Sequence, residues 1–443
     1  MAIQRDRMAP APFGGSLDHN RIPTMRSLAD NFEIVYRSER PKDIYCYTPG
    51  IVVTGGRRLV ATFDLGGEGV EDLLGPKGSR AGGTRFGMGK VYVSDDRGCS
   101  WAERWTFPFW HARPFIAGGR LYILGHAGDL MIMASDDEGE TWSEPVALTS
   151  NMKWHGSSCN VHYVNRYVYL ALDERRDLSI QGWNTAGLAP RVLRARTDDD
   201  LLNPKSWTIS ESFAFNEIVS PSDFDLFGVP FYNTPIRAPA ELRSGRFCAP
   251  MGWLEPNIVR FHDPAHLWHD PAGRTLHLFL RANTGGTGYA ALVKVIEQDD
   301  GRLTTALETV PSGKKALFIP FPGGHLKFFV LYDDETRLYW LLSSQATDSM
   351  VRLTHVSQAR YNLPNNERHR LQLHFSRNCI DWCFAGIVAA GQNERYARNY
   401  PSMAVDGNDL VVLCRSGDDE GKDPQYANLI TFHRVKEFRN LVY

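Results

Sequence analysis

The chain has 443 residues and a formal net charge of −2, which leaves no strong field to draw nucleic acid or an anionic membrane. Aromatic residues make up 12% and there are 39 glycines, a composition suited to many short strands joined by tight turns. No apolar run is long enough to span a bilayer, and the seven cysteines fit neither a paired framework nor metal-ligand spacing. Reduced, mostly buried thiols point to a cytoplasmic address. Met1–Asn20 is polar and Pro-rich with no apolar signal core, although a secreted or periplasmic protein whose signal peptide had been removed would read the same.

Residues 1–30 read as a loose arm. Asn31–Arg37, with Phe32, Ile34 and Tyr36 alternating, reads as a strand. From there the chain cycles through quartets of strands. The first runs Gly50–Thr54, Arg58–Asp64, Lys90–Val93 and the strand after Trp101. The second runs Pro114–Ile116, Arg120–Leu124, Leu130–Ala134 and Pro145–Leu148. The third takes Asn160–Val164, Tyr167–Leu172, Val192–Thr197 and a strand near Trp207. An irregular, Pro-rich insertion occupies about 210–250. Ala265–Trp268, Leu276–Arg281 and Ala290–Val295 belong to the fourth quartet, and Leu326–Tyr332, Leu338–Ser343 and Leu371–Phe375 to the fifth. The sixth has Ser402–Val405, Leu410–Cys414 and Leu429–His433. It lacks a strand, and Asn31–Arg37 supplies it by closing the ring. The main helical candidate is a short turn around Asn393–Arg398. The expectation is therefore an all-β, six-bladed β-propeller, a single domain over 31–443 closed by pairing of N- and C-terminal strands, which removes exposed sheet edges.

Two segments lie in register, one blade apart: Ser94-Asp95-Asp96-Arg97-Gly98-Cys99-Ser100-Trp101 and Ser135-Asp136-Asp137-Glu138-Gly139-Glu140-Thr141-Trp142. In each, Ser and Asp side chains bond backbone N–H groups of a tight turn, Gly takes the positive-φ position, and Trp folds back as an apolar plug. Thr197-Asp198-Asp199-Asp200 and Ser376-Arg377-Asn378-Cys379-Ile380-Asp381-Trp382 are decayed versions. These turns resemble the Asp-box of sialidases and related propellers.

Such hairpins join third to fourth strands, so the opposite face gathers first-strand starts and the loops after second strands. Strand starts contribute Tyr47, His111, Arg113, His155, Glu255, His325, Lys327 and Tyr400. The loops contribute Asp64, His126, Arg175, Arg281, Tyr289, Gln345, Asp348 and Arg415. Carboxylates, imidazoles, guanidinium groups and phenols in one pocket suit a sugar bearing an acidic group. Asn283-Thr284-Gly285-Gly286-Thr287-Gly288-Tyr289 precedes no helix, so it reads as a pocket-lining turn rather than a phosphate loop. No cofactor or metal is expected, and the expected partner is an oligosaccharide or polysaccharide substrate.

The sialidase resemblance extends over most blades. Tyr47-Thr48-Pro49-Gly50-Ile51 stands where that family has its Arg-Ile-Pro strand, so Tyr47 or Thr48 replaces a carboxylate-gripping Arg. Ala61-Thr62-Phe63-Asp64 follows in the family's order, and Asp64, ahead of Asp72, takes the acid position. Trp253-Leu254-Glu255-Pro256-Asn257 and Phe279-Leu280-Arg281 look like the family's midway Glu and Arg, and Tyr400-Pro401-Ser402 like its nucleophilic Tyr. The resemblance implies a sialidase-like exo-glycosidase with Tyr400 as nucleophile, Glu255 as its base and Asp64 as acid. Arg281, with Arg368 or Arg113, would hold the acidic group, beside His111, His155 and Tyr289. The missing first Arg turns the expectation toward another acidic sugar, such as a uronate. Two alternatives remain open: a lyase eliminating at a uronate through His111, His155 and a Tyr, and a non-catalytic glycan-binding propeller.

Overall fold

The computed structural model describes residues 26–29, 31–80, 85–219, 237–243, 245–357 and 360–443, and these are nearly all β. Six antiparallel sheets follow one another around a ring, each with its first strand innermost. Blade 1 is Gly50–Val53, Leu59–Gly66, Phe86–Ser94 and Ala102–Phe107; blade 2 is Trp110–Ala117, Arg120–Ala127, Asp129–Ser135 and Val146–Ala147. Blade 3 is His162–Val164, Tyr167–Arg175, Leu188–Arg196 and Thr208–Ile209; blade 4 is Gly252–Val259, Thr275–Asn283, Tyr289–Glu297 and Leu303–Ala306. Phe329–Asp333, Leu338–Ser344, Arg370–Ser376 and Cys383–Ala390 make blade 5. Blade 6 is Arg398–Asp406, Asp409–Ser416 and Leu429–Val435, completed on its outer edge by Phe32–Arg37. The six-bladed propeller and its closure by N- and C-terminal strands are thus as the strand pattern predicts.

Three local expectations are corrected. Ala265–Trp268 is a pair of turns, because Asp263 and His266 side chains accept the N–H groups of Ala265 (2.9 Å) and Trp268 (3.0 Å), and such local bonds displace a ladder. The innermost strand of blade 4 is Gly252–Val259 instead. Around Asn393 the chain forms a turn, with Tyr396 N donating to Asn393 O, and the one α-helical turn among the described residues is Phe215–Ile218. Of the expected arm, Leu28 and Ala29 are docked, their N–H groups donating to Ile387 and Val388 carbonyls; residues 1–25 and 30 lie outside the described residues. So does 220–236 of the expected insertion, which otherwise supplies a hairpin, Ala240–Arg243 with Arg246–Cys248.

Apolar residues alternate along each strand, so both faces of a blade pack on its neighbours, and six apolar clusters fill the six seams. The tryptophans that end the third-to-fourth connections plug these seams. Trp142 lies between blades 1 and 2, Trp207 between 2 and 3, and Trp101 meets Phe432 of blade 6 at 5.4 Å. Trp382 meets Phe321 at 5.2 Å in the seam between blades 4 and 5. Three of their N–H groups bond back into the connection, Trp101 Nε1 to Gly98 O, Trp142 Nε1 to Gly139 O and Trp207 Nε1 to Leu201 O, as buried indoles usually do, whereas Trp382 Nε1 in the decayed turn has no hydrogen-bond partner among the described residues. Around the axis, polar side chains stitch one innermost strand to the next. Asn160 brackets Ile258, Asn257 brackets Phe328 and Val330, and Ser402 accepts from Ile51 N. Buried Lys327 crosses the axis, donating to the carbonyls of Ser158 and Pro401.

Candidate active site

A cavity of ≈ 670 Å³ opens on the face opposite the tryptophan turns. Its floor is made by one backbone device used three times. In blades 2, 4 and 6 the innermost strand carries an extra residue: the register slips between Trp110 and Arg113, between Leu254 and Asn257, and between Asn399 and Ser402. The first residue of each bulge is left-handed without being glycine: His111 (φ 56°), Glu255 (φ 61°) and Tyr400 (φ 52°). Non-glycine residues resist that region, and bulges re-aim a side chain. All three side chains line the cavity. Pro256 and Pro401 follow Glu255 and Tyr400, where a ladder N–H would have been left unpaired.

Each bulge is held from two sides. The residue opposite, on the second strand, contacts the bulge side chain. His126 Nε2 lies 3.0 Å from His111 Nδ1, Arg281 Nη1 lies 3.5 Å from Glu255 Oε2, and the Arg415 Cζ sits 3.9 Å over the Tyr400 ring. Two of the bulges are also pinned by a carboxylate of the preceding blade. His111 N donates to Asp64 Oδ1 (3.1 Å) and Glu255 N to Asp173 Oδ2 (2.8 Å). Both acids are buried with no countercharge in contact, and desolvation pushes Asp64 up to about 7 and Asp173 up to about 8.

Arg281 ties the site together. Its Nη1 donates to Tyr400 Oη (3.0 Å), its Nε to His325 O (2.9 Å), and its guanidinium lies 4.8 Å over the Trp183 ring. Arg368 donates to two amide oxygens, Asn399 Oδ1 (3.2 Å) and Asn366 Oδ1 (2.8 Å), and stands 5.7 Å over Tyr400. Among the described residues six arginines line the cavity, Arg80, Arg85, Arg246, Arg281, Arg368 and Arg415, against a single carboxylate, Glu255. On another wall His111 and His155 stand with ring centroids 5.3 Å apart, and His155 Nδ1 lies 3.6 Å from Asp173 Oδ2. Burial first, then nearby cations that include Arg80 and Arg175, hold His111, His126 and His155 well below the usual imidazole range. At neutral pH they are uncharged. Among the described residues no group of three or more His, Cys, Asp or Glu side chains is placed to hold a metal ion.

Of the residues singled out in the sequence, Tyr400, Glu255, Arg281, Arg368, His111 and His155 meet at this cavity. Asp64 does not line it; its carboxylate lies behind the His111 backbone. Arg113 is turned away, its guanidinium donating to the carbonyls of Asn160, Ser157 and Ala171. It borders a separate cavity of ≈ 410 Å³ formed further along the innermost strands. Tyr289 starts the third strand of blade 4 and is also outside the lining. Sequence reasoning missed Arg80 and Trp183. Both lie in second-to-third strand connections, of blades 1 and 3, so the rule that such loops share the pocket face was the signal available. It also missed the Arg246–Cys248 strand, which walls the cavity from the insertion.

No protein-family model and no curated protein sequence matches the chain. Solved structures share its fold. A Dyadobacter fermentans protein of unknown function is 12% identical over 93% of this chain and 99% of its own, with a TM-score of 0.53. A Penicillium chrysogenum α-L-arabinanase complexed with arabinobiose is 12% identical over 94% and 99%, at 0.47. Trypanosoma rangeli sialidase in complex with sialic acid is 13% identical over 94% of this chain and 60% of its own, at 0.49. At such identity the likeness speaks for the propeller alone.

Proposed function

We propose that the protein is a sialidase-like glycoside hydrolase that removes an acidic sugar from a glycan, with Tyr400 as nucleophile and Glu255 as its base. One observation carries this reading: Arg281 reaches both Tyr400 Oη (3.0 Å) and Glu255 Oε2 (3.5 Å) on a wall dominated by arginine. A neutral phenol is a weak nucleophile and needs a base to take its proton. Arg281 donates to the phenol oxygen and Arg415 stands over the ring, and among the described residues Glu255 is the only carboxylate lining the cavity to take the proton. Arg368 and Arg415, whose guanidiniums have only neutral partners, suit a sugar carboxylate.

A second reading, β-elimination at a uronate, is favoured by a different observation. His155, backed by Asp173, and His111, backed by His126, are neutral bases at the cavity wall, whereas Asp64, the acid of the hydrolytic reading, stands behind His111. The two separate in one assay. Sialylated and uronate-bearing glycans are incubated with the protein while released reducing sugar and the ultraviolet absorbance of a new carbon–carbon double bond are followed. Reducing sugar without absorbance, abolished in Tyr400→Phe, is the expected result. An absorbance rise that survives Tyr400→Phe and is lost in His155→Gln would replace hydrolysis by elimination.

A further inference from the structure

Resting on that acidic-glycan reading, we infer that the substrate carries two acidic groups, the second received by Arg80 on the blade 1 side of the cavity. Arg281, Arg368 and Arg415 converge on Tyr400. A carboxylate offers two oxygens and about four lone-pair sites, so those three donors already complete a single acidic group. Arg80 stands apart from them. Its Cζ lies 5.3 Å from the Trp110 ring and 5.9 Å from the Tyr47 ring. Arg415 approaches the same Tyr47 ring (5.0 Å) from the Tyr400 side.

Arg80 has no anionic partner among the described residues. Among the described residues its guanidinium has no ion pair and no hydrogen-bond acceptor, and its Nε is buried without a partner. A cation packed against two adjoining aromatic rings, with its donors unused at a cavity wall, is a receptor for an external anion. Buried Asp64 feels Arg415 and Arg80 electrostatically but forms no ion pair or hydrogen bond with either. The other charged and titratable groups facing this corner are Arg85, Arg175, His111, His126 and His155, and none of them adds negative charge. The separation across one phenol ring fits acidic groups on a single sugar or on adjacent sugars. The predicted class is therefore a di-acidic glycan end: consecutive uronates, consecutive sialic acids, or a sulfated acidic sugar.

The test compares matched ligands on the full chain carrying Tyr400→Phe, which binds without turning over. Titration calorimetry measures binding of uronyl and sialyl disaccharides with both carboxylates free, and of the same disaccharides with the second carboxylate methyl-esterified. The di-acid is expected to bind at least about tenfold more tightly at low salt, since a charge-assisted pair is involved. In Arg80→Met the ratio between di-acid and mono-ester should fall to near one. Equal binding of the two ligands by the Arg80-bearing protein overturns the second subsite, as does a ratio that persists in Arg80→Met. Failure of every acidic ligand to bind, together with no sugar release or double-bond absorbance from the Tyr400-bearing protein, overturns the acidic-glycan reading itself and the inference with it.

Discussion

At one rim of the ring the turns Ser94–Trp101 and Ser135–Trp142 leave almost nothing unsatisfied. Asp96 accepts from Ser94, from Ser100 N and from Ser100 Oγ, Asp137 repeats the pattern with Ser135 and Thr141, and the serines accept Gly98 N and Gly139 N. Charges there are paired too: Arg58 holds Asp95 and Glu140, and Arg434 holds Asp406 and Asp409. At the other rim stand buried polar atoms that have no hydrogen-bond partner among the described residues, including Asp64 Oδ2, Arg80 Nε, His155 Nδ1, Asp173 Oδ1, Glu255 Oε2, Arg368 Nε and Arg415 Nε. Unpaired buried groups cost stability. The turn rim holds the blades together, and the cavity rim gives up stability for chemistry.

Substitutions at the two rims should therefore fail in different ways. The largest effect is expected from Tyr400→Phe, which removes one hydroxyl: activity falls by roughly 10²–10⁴-fold. Folding stability, read from denaturant unfolding, changes by about 1 kcal/mol, the worth of one hydrogen bond to Arg281. Loss of stability without loss of rate would erase the distinction between rims. Trp142→Ala is the converse. It empties a seam between blades 1 and 2 and should cost roughly 3–5 kcal/mol, while the rate per folded molecule stays at the parent value.

The asymmetry also decides what was legible in the sequence. Strand quartets, the tryptophan turns and the ring closure all express local periodicity or local hydrogen bonding, and they could be read directly. Glu255, Tyr400 and His111 were legible as polar residues at strand starts. The bulge that aims them was not, although Glu255-Pro256-Asn257 and Tyr400-Pro401-Ser402 repeat its signature. Asp64 and Arg113 looked like cavity residues because strand order gives the rim but not the side-chain direction. One pins a neighbouring blade's backbone and the other holds three carbonyls. Arg80 and Trp183 come from connections without periodicity, and only the fold brings them to the cavity.

The last predictions concern pH, where the expected effects have opposite signs at the two rims and end on the smallest, at Asp137. Burial raises Asp64 to about 7 and Asp173 to about 8, above their unfolded values. The folded state therefore prefers them protonated, and stability present at pH 4 is lost as pH rises through 7 and 8. Asp173→Asn keeps an acceptor for Glu255 N and removes the charge. Its unfolding free energy, read from denaturant titration, should fall less than the parent's between pH 5 and pH 8.5, by a margin on the order of a few kcal/mol. Asp96 and Asp137 are held below the usual carboxylate range. Hydrogen bonds lower Asp96, whereas at Asp137 burial opposes the shift and hydrogen bonds from Thr141 and Ser135 outweigh it. Their contribution is present above the unfolded pKa and lost as pH falls through the folded one. Asp137→Asn should accordingly lower the melting temperature by about 1–2 °C at pH 7 and leave it unchanged near pH 2. Solvent screening keeps that second shift small. Parallel pH responses in Asp173→Asn and Asp137→Asn would mean that the rims do not differ in how they treat a carboxylate charge.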